Sequence, residues 1–129
     1  MIVNDVGASR DGLGRDASAA QAVVDEIRSA GGTAIANGDD IGDWKGAHHL
    51  VESTLAEYGA LDVLVNNAGI LRDRMLANME EAEWAPVINV HLKGTFAPMH
   101  PAAAPWRAPP KKTGQRGGAP APQTTTPPP

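Results

Sequence analysis

The 129-residue chain predicts an α/β fold, a parallel sheet with helices on its faces, followed by a basic proline-rich tail. Three observations lead there. Short apolar runs alternate with amphipathic helical patterns in the order β-α-β-α-β-α. The segments between those runs are too long for hairpins, so the strands are expected to be parallel and joined by right-handed crossovers. Composition then divides the chain: residues 1–97 hold all 15 acids and 7 bases, whereas residues 98–129 hold 4 bases, no acid and ten of the 11 prolines. The expected organisation is an acidic globular body over 1–97 and a tail over 98–129 without fixed structure, because such a segment cannot offset its ordering entropy.

Ile2-Val3 opens the first strand, stopped by Asn4-Asp5-Val6-Gly7. A polar, glycine-bearing loop runs from Ala8 to Asp16. Ala20, Val23, Val24, Ile27 and Ala30 recur at three- and four-residue steps, a helix with one buried face, and Gly31-Gly32 offers its left-handed stop. Thr33 to Asn37 reads as a second strand, punctuated by Gly38-Asp39-Asp40. Ala47, Leu50, Val51, Thr54, Leu55 and Tyr58 trace a second helical face closed by Gly59. Leu61-Asp62-Val63-Leu64-Val65 is nearly all apolar, as expected of a strand covered on both sides. Trp84, Val87, Ile88, His91, Leu92 and Phe96 mark a third helix, with Pro86 either inside it, where it deletes a backbone donor, or in its first turn.

Several function classes fall away. There is no cysteine, so disulfide frameworks, thiol nucleophiles and Cys-ligated metals are excluded. The acidic body speaks against nucleic acid as a partner, and no run approaches the ~18 apolar residues of a membrane span. Met1 is not followed by a signal peptide, so a cytoplasmic location is expected. His48 and His49 are adjacent and cannot face one metal from a single helix face, so no metal site is expected.

The most specific string is Val63-Leu64-Val65-Asn66-Asn67-Ala68-Gly69-Ile70, an Asn-Asn-Ala-Gly turn directly after an apolar strand. Here the chain resembles the short-chain dehydrogenase/reductase family, over about residues 2–97. The likeness extends through Leu71-Arg72-Asp73-Arg74-Met75-Leu76 and from Trp84 to Phe96. Asn4-Asp5-Val6-Gly7 and the stretch from Ala36 to Trp44 look most like the family's domains acting on 3-hydroxyacyl or 3-oxoacyl thioesters. The resemblance implies a Rossmann-like sheet binding NAD, with NADP disfavoured, outside the carboxyl ends of its strands. It assigns Asp5 to the ribose hydroxyls, Asp40 and Ile41 to the adenine, and Asn67, Ala68 and Gly69 to the cofactor-lining rim. Asp5 as a simple turn former, and Asp39 and Asp40 as helix caps, stand beside those roles.

The resemblance also implies gaps. Gly7, Gly12 and Gly14 follow a strand like a phosphate loop, but four residues separate the first two where the family has three. The alternative register makes this the loop after the family's second strand, so that the first strand and its glycine turn are missing between those bearing Asp5 and Leu64. The family's Tyr and Lys four residues later have no counterpart, since the one tyrosine, Tyr58, is followed at that spacing by Asp62. No serine follows Ser53. His91, in His91-Leu92-Lys93-Gly94, stands where the family usually has Asn, and is the candidate catalytic position, as a proton-relay group or a packed helix residue. The expectation is part of an NAD(P)-dependent oxidoreductase of hydroxyacyl or oxoacyl substrates, truncated at both ends and inactive alone. The alternative is a nucleotide- or partner-binding α/β module without catalysis.

Overall fold

The computed structural model describes residues 1–8 and 16–107. Gly12 and Gly14 of the glycine-bearing loop, and everything beyond Arg107, lie outside them. Strand β1 (Ile2–Asn4) pairs in parallel with β2 (Ile35–Asn37), with Ile2 opposite Ile35 and Asn4 opposite Asn37. Helix α1 (Ser18–Ser29) makes the crossover between them. The α/β class with a small parallel sheet is therefore what forms.

Local chemistry ends the first helices where the sequence places the stops. Past α1, Gly31 takes φ 86° and donates to the Arg28 carbonyl, while Gly32 donates to that of Ile27. The last carbonyls of the helix are thereby paired, as in a Schellman turn. At its other end the Asp16 carboxylate accepts from the Ser18 amide at 2.9 Å. That bond and the Ser18 side chain hold the Asp16 carboxyl below its usual range, against slight desolvation. Helix α2 (Trp44–Tyr58) starts on Asp43, whose side chain accepts from the Gly46 amide at 2.8 Å, and stops at Gly59 with φ 71°. The cap is thus Asp43, whereas Asp39 and Asp40 have other partners.

Helix α3 (Glu81–Ile88) runs directly into a π-helical turn (Asn89–Lys93) and then into α4 (Gly94–Arg107). Glu83 accepts from the Glu80 amide at 3.1 Å and from Arg74 at 2.6 Å, closing the entry to α3. Those bonds, the Glu80 amide first, hold its carboxyl below the usual range. Pro86 lies inside α3 rather than in its first turn.

Three expectations need correction. The start of the tail expected from residue 98 is helical: α4 continues through Pro98, Pro101 and Pro105 to Arg107. The missing amide donors are offset by burial, because Gly94, Ala97, Pro98 and Ala102 form the helix's buried face and α4 packs on α2. Residues 61–65 form no strand; Val63 and Val65 are 71% and 75% exposed. A strand exists only through pairing, and the two-stranded sheet offers this segment no neighbour. The expected buried face of the third helix is also open, with Trp84, Leu92 and Phe96 all exposed.

The core is correspondingly small. Ala20, Val24 and Ala34 are buried around α1 and the sheet, and Ala47, Leu50 and Val51 of α2 with Ala97 and Ala102 of α4. Val23, expected on the buried face of α1, is 43% exposed, since a sheet two strands wide cannot cover the full width of a helix.

Candidate functional site

Both strands point their carboxyl ends the same way, which brings Asp5 beside the turn that follows β2. The Asp5 amide donates to the Asn37 carbonyl at 3.0 Å. The Asn4 side-chain amide donates to Asn37 Oδ1 at 2.7 Å and to the Asp39 carbonyl at 2.9 Å. This part-buried amide network ties the two strand ends into one rim. Asp5 itself is exposed, and its Oδ1 accepts from the Gly7 amide at 2.7 Å. It is thus a turn former in fact, though a carboxylate with two oxygens retains acceptor capacity beyond one amide. Gly7 has φ 72°, and a Cβ there would lie 2.1 Å from the Asp16 backbone, whose amide donates to the Gly7 carbonyl. Only glycine allows that closure.

Beyond the rim lies an open hollow of about 450 Å³ lined by Asp39, Asp40, Asp43, Lys45 and His49 with Gly38 and Gly46. Asp39 Oδ2 accepts from Asn37 at 2.7 Å and meets His49 Nδ1 at 2.6 Å. Burial pushes the Asp39 carboxyl up, but the Asn37 and His49 hydrogen bonds and the His49 charge together hold it below its usual value. The same bond and the charge of Asp39 raise His49. Asp40 Oδ1 accepts from the Gly42 amide at 2.8 Å.

The π-helical turn joins this rim to the Asn-Asn-Ala-Gly segment. On one side Asn89 stands over Gly42, where a Cβ would lie 2.4 Å from the Asn89 amide nitrogen. Ile41 packs on Gly94, where a Cβ would come within 3.0 Å of the Ile41 Cδ1. On the other side the His91 ring lies on Gly69, where a Cβ would come within 2.8 Å of ring Cε1. Its Nε2 sits 3.1 Å from the Ile70 amide and 2.9 Å from the Ile70 carbonyl. A π turn inserts one residue into the helical ladder, and such turns recur at functional sites. Here Asn89 faces one loop and His91 the other.

Asp5, Asp40, Ile41 and Gly69 are therefore linked by a continuous series of contacts. Asn67 and Ala68 are exposed beside Gly69. Asn89 and Gly42 were missed by sequence reasoning; the available signal was an Asn lodged mid-helix, where its side chain competes with the backbone. Tyr58 is remote from this chemistry, its hydroxyl donating to the Met1 carbonyl at 3.2 Å. Ser53 back-bonds to the Leu50 carbonyl of its own helix. His48 stacks with Trp44 and His100, at ring separations of 5.1 and 5.5 Å. No helix among the described residues is long and apolar enough to cross a membrane.

Comparison with known proteins shows what the chain is similar to. Residues 6–115 match the family model described as short chain dehydrogenase. The chain is 46% identical over 96 residues to the peroxisomal hydratase-dehydrogenase-epimerase of Saccharomyces cerevisiae, covering 74% of this chain and 10% of that protein. It is 45% identical over 111 residues to the hydroxyacyl-CoA dehydrogenase ChsB1 of Mycobacterium tuberculosis, covering 83% of this chain and 32% of that one. Among solved structures, a short chain dehydrogenase from Mycobacterium avium superposes with a TM-score of 0.72 at 54% identity, covering 82% of this chain and 37% of the other. The chain thus spans well under half the length of each.

Proposed function

Because this chain belongs to the short-chain dehydrogenase family of oxidoreductases, we propose that its described residues form the adenosine-side wall and part of the nicotinamide rim of a dinucleotide crevice. The observation that carries this reading is the unbroken contact path from Asp5 through Asn37, Asp39 and Asp40 to Asn89, His91 and Gly69. Ligands of open parallel sheets lie outside the carboxyl ends of the strands, and the Asp5, Asn37 and Asp39 part of this path lies at those ends.

The residues suit such a group. The exposed Asp5 carboxylate would accept the ribose hydroxyls and repel a 2′-phosphate, so NAD is the preferred cofactor over NADP. Asp40 and Ile41 would border the adenine, and Asn67, Ala68 and Gly69 would line the cofactor through small side chains and backbone. When bound, the nicotinamide would supply or accept the hydride. The substrate class inferred is a hydroxyacyl or oxoacyl thioester, supported by the activity named for the mycobacterial relative. The chain by itself is expected to bind weakly and not to turn over, since Tyr58 is engaged with Met1 and the residue four later is Asp62. The cytosol is one compartment this reading allows; the name of the yeast relative makes the peroxisome another.

A second reading, an α/β module that binds a partner chain without catalysis, is favoured by the exposed apolar residues of the unpaired 61–65 segment. One pair of measurements tests both. Calorimetric titration with NAD and NADP is expected to give weak NAD binding, at least about tenfold tighter than NADP, with Asp5→Ser narrowing the gap. A steady-state assay with NADH and a 3-oxoacyl thioester is expected to show no turnover. Equal affinity for the two cofactors would remove the role given to Asp5. Absence of any binding would favour the partner-binding module.

A further inference from the structure

The His91 ring presents one nitrogen to two groups that need opposite partners. Nε2 lies 3.1 Å from the Ile70 amide, a donor, and 2.9 Å from the Ile70 carbonyl, an acceptor. A ring nitrogen carries either a proton or a lone pair. With the proton on Nε2 the ring donates to the carbonyl and cannot accept from the amide; with the proton on Nδ1 the reverse holds. The ring covers the face of Gly69 where a Cβ would stand, 2.8 Å from ring Cε1. Its backbone is fixed as well, in the π turn, with the Thr95 hydroxyl on its own carbonyl at 2.7 Å.

We propose that His91 is a positioning residue, an either-or latch that holds the Gly69–Ile70 segment through the Ile70 amide or the Ile70 carbonyl, never both at once. This holding role stands beside the proton-relay role expected of His91; in this structure its Nε2 is directed at the Ile70 backbone. The latch stands at the far jaw of the π turn, opposite the Asn89 amide at Gly42, so its tautomer sets by which group, amide or carbonyl, that loop of the crevice is held. The inference concerns the rim itself. It bears on the cofactor site only if the dinucleotide reading is right.

Hydrogen exchange of the Ile70 amide in the full chain, without any nucleotide, tests the latch independently of that reading. His91→Gln supplies an amide of similar reach whose oxygen and nitrogen serve both Ile70 groups simultaneously. It is expected to slow Ile70 exchange about fivefold, the scale of one net hydrogen bond. His91→Phe keeps the ring and removes the nitrogen, and is expected to accelerate it about fivefold. Gly69→Ala pushes the ring off without altering His91 and is expected to act in the direction of His91→Phe. The amides of Val24 and Val51, in the two apolar clusters, should be unmoved by all three. A His91→Gln variant no slower than the parent, or a His91→Phe variant no faster, overturns the latch. Nucleotide affinity, measured separately, decides the cofactor reading whichever way the exchange falls.

Discussion

Single residues at the rim show how one side chain can satisfy two descriptions. Asp5 is a turn former by its bond to Gly7 and a rim carboxylate by its exposure, and the sequence could rank these but not exclude either. The Asp39–His49 pair could not be read from the sequence, because ten positions and a helix start separate partners that meet at 2.6 Å. Its pH behaviour follows from the two shifts. His49 titrates higher in the folded chain than unfolded, so its contribution is complete below the ordinary histidine range and fades as pH rises through its elevated value. Asp39 titrates lower, so its contribution is complete above the ordinary carboxylate range and fades as pH falls through its depressed value. The pair is therefore most effective between roughly pH 4 and 6.5. NMR titration should place the His49 transition above that of an unstructured histidine, and Asp39→Asn should return it toward the ordinary value. An unmoved His49 transition in that variant would show that the pair is not formed in solution.

Elements whose signals are local were legible. The stops at Gly31 and Gly59 follow from the one residue type that adopts positive φ at little cost, and both angles are observed. Gly59→Ala is accordingly expected to destabilise the chain by about 1 kcal/mol, read as a lower urea midpoint with unchanged slope, although a Cβ there meets open space. An unchanged midpoint would mean that the end of α2 is already frayed. Elements whose formation depends on distant partners were misread. Local rules count the amide donors that Pro98, Pro101 and Pro105 remove, but not the burial of Ala97, Pro98 and Ala102 beside α2. They recognise the apolar run at 61–65, but not that a strand without a neighbour has no hydrogen bonds to make.

For the whole molecule the balance of buried and exposed apolar surface matters most. The buried apolar residues are few and mostly alanine, while Val63, Val65, Leu92 and Phe96 are all exposed. An unpaired apolar segment is a template for pairing between chains. Val63→Lys with Val65→Lys should therefore reduce self-association, seen by light scattering, while changing the unfolding free energy of the monomer by no more than about 0.5 kcal/mol. Undiminished association would locate the sticky surface elsewhere, with the exposed face of α4 the next to test.

By itself the sequence determined the α/β class, the first two helices with their glycine stops, and the family, because each rests on short-range periodicity or a contiguous motif. The tertiary structure alone decided that 61–65 stays unpaired, that three prolines lie within a helix, and that a π-helical turn sets Asn89 on one loop and His91 on another. Those outcomes depend on which surfaces meet, and contacts between distant positions are not encoded in the spacing of neighbours.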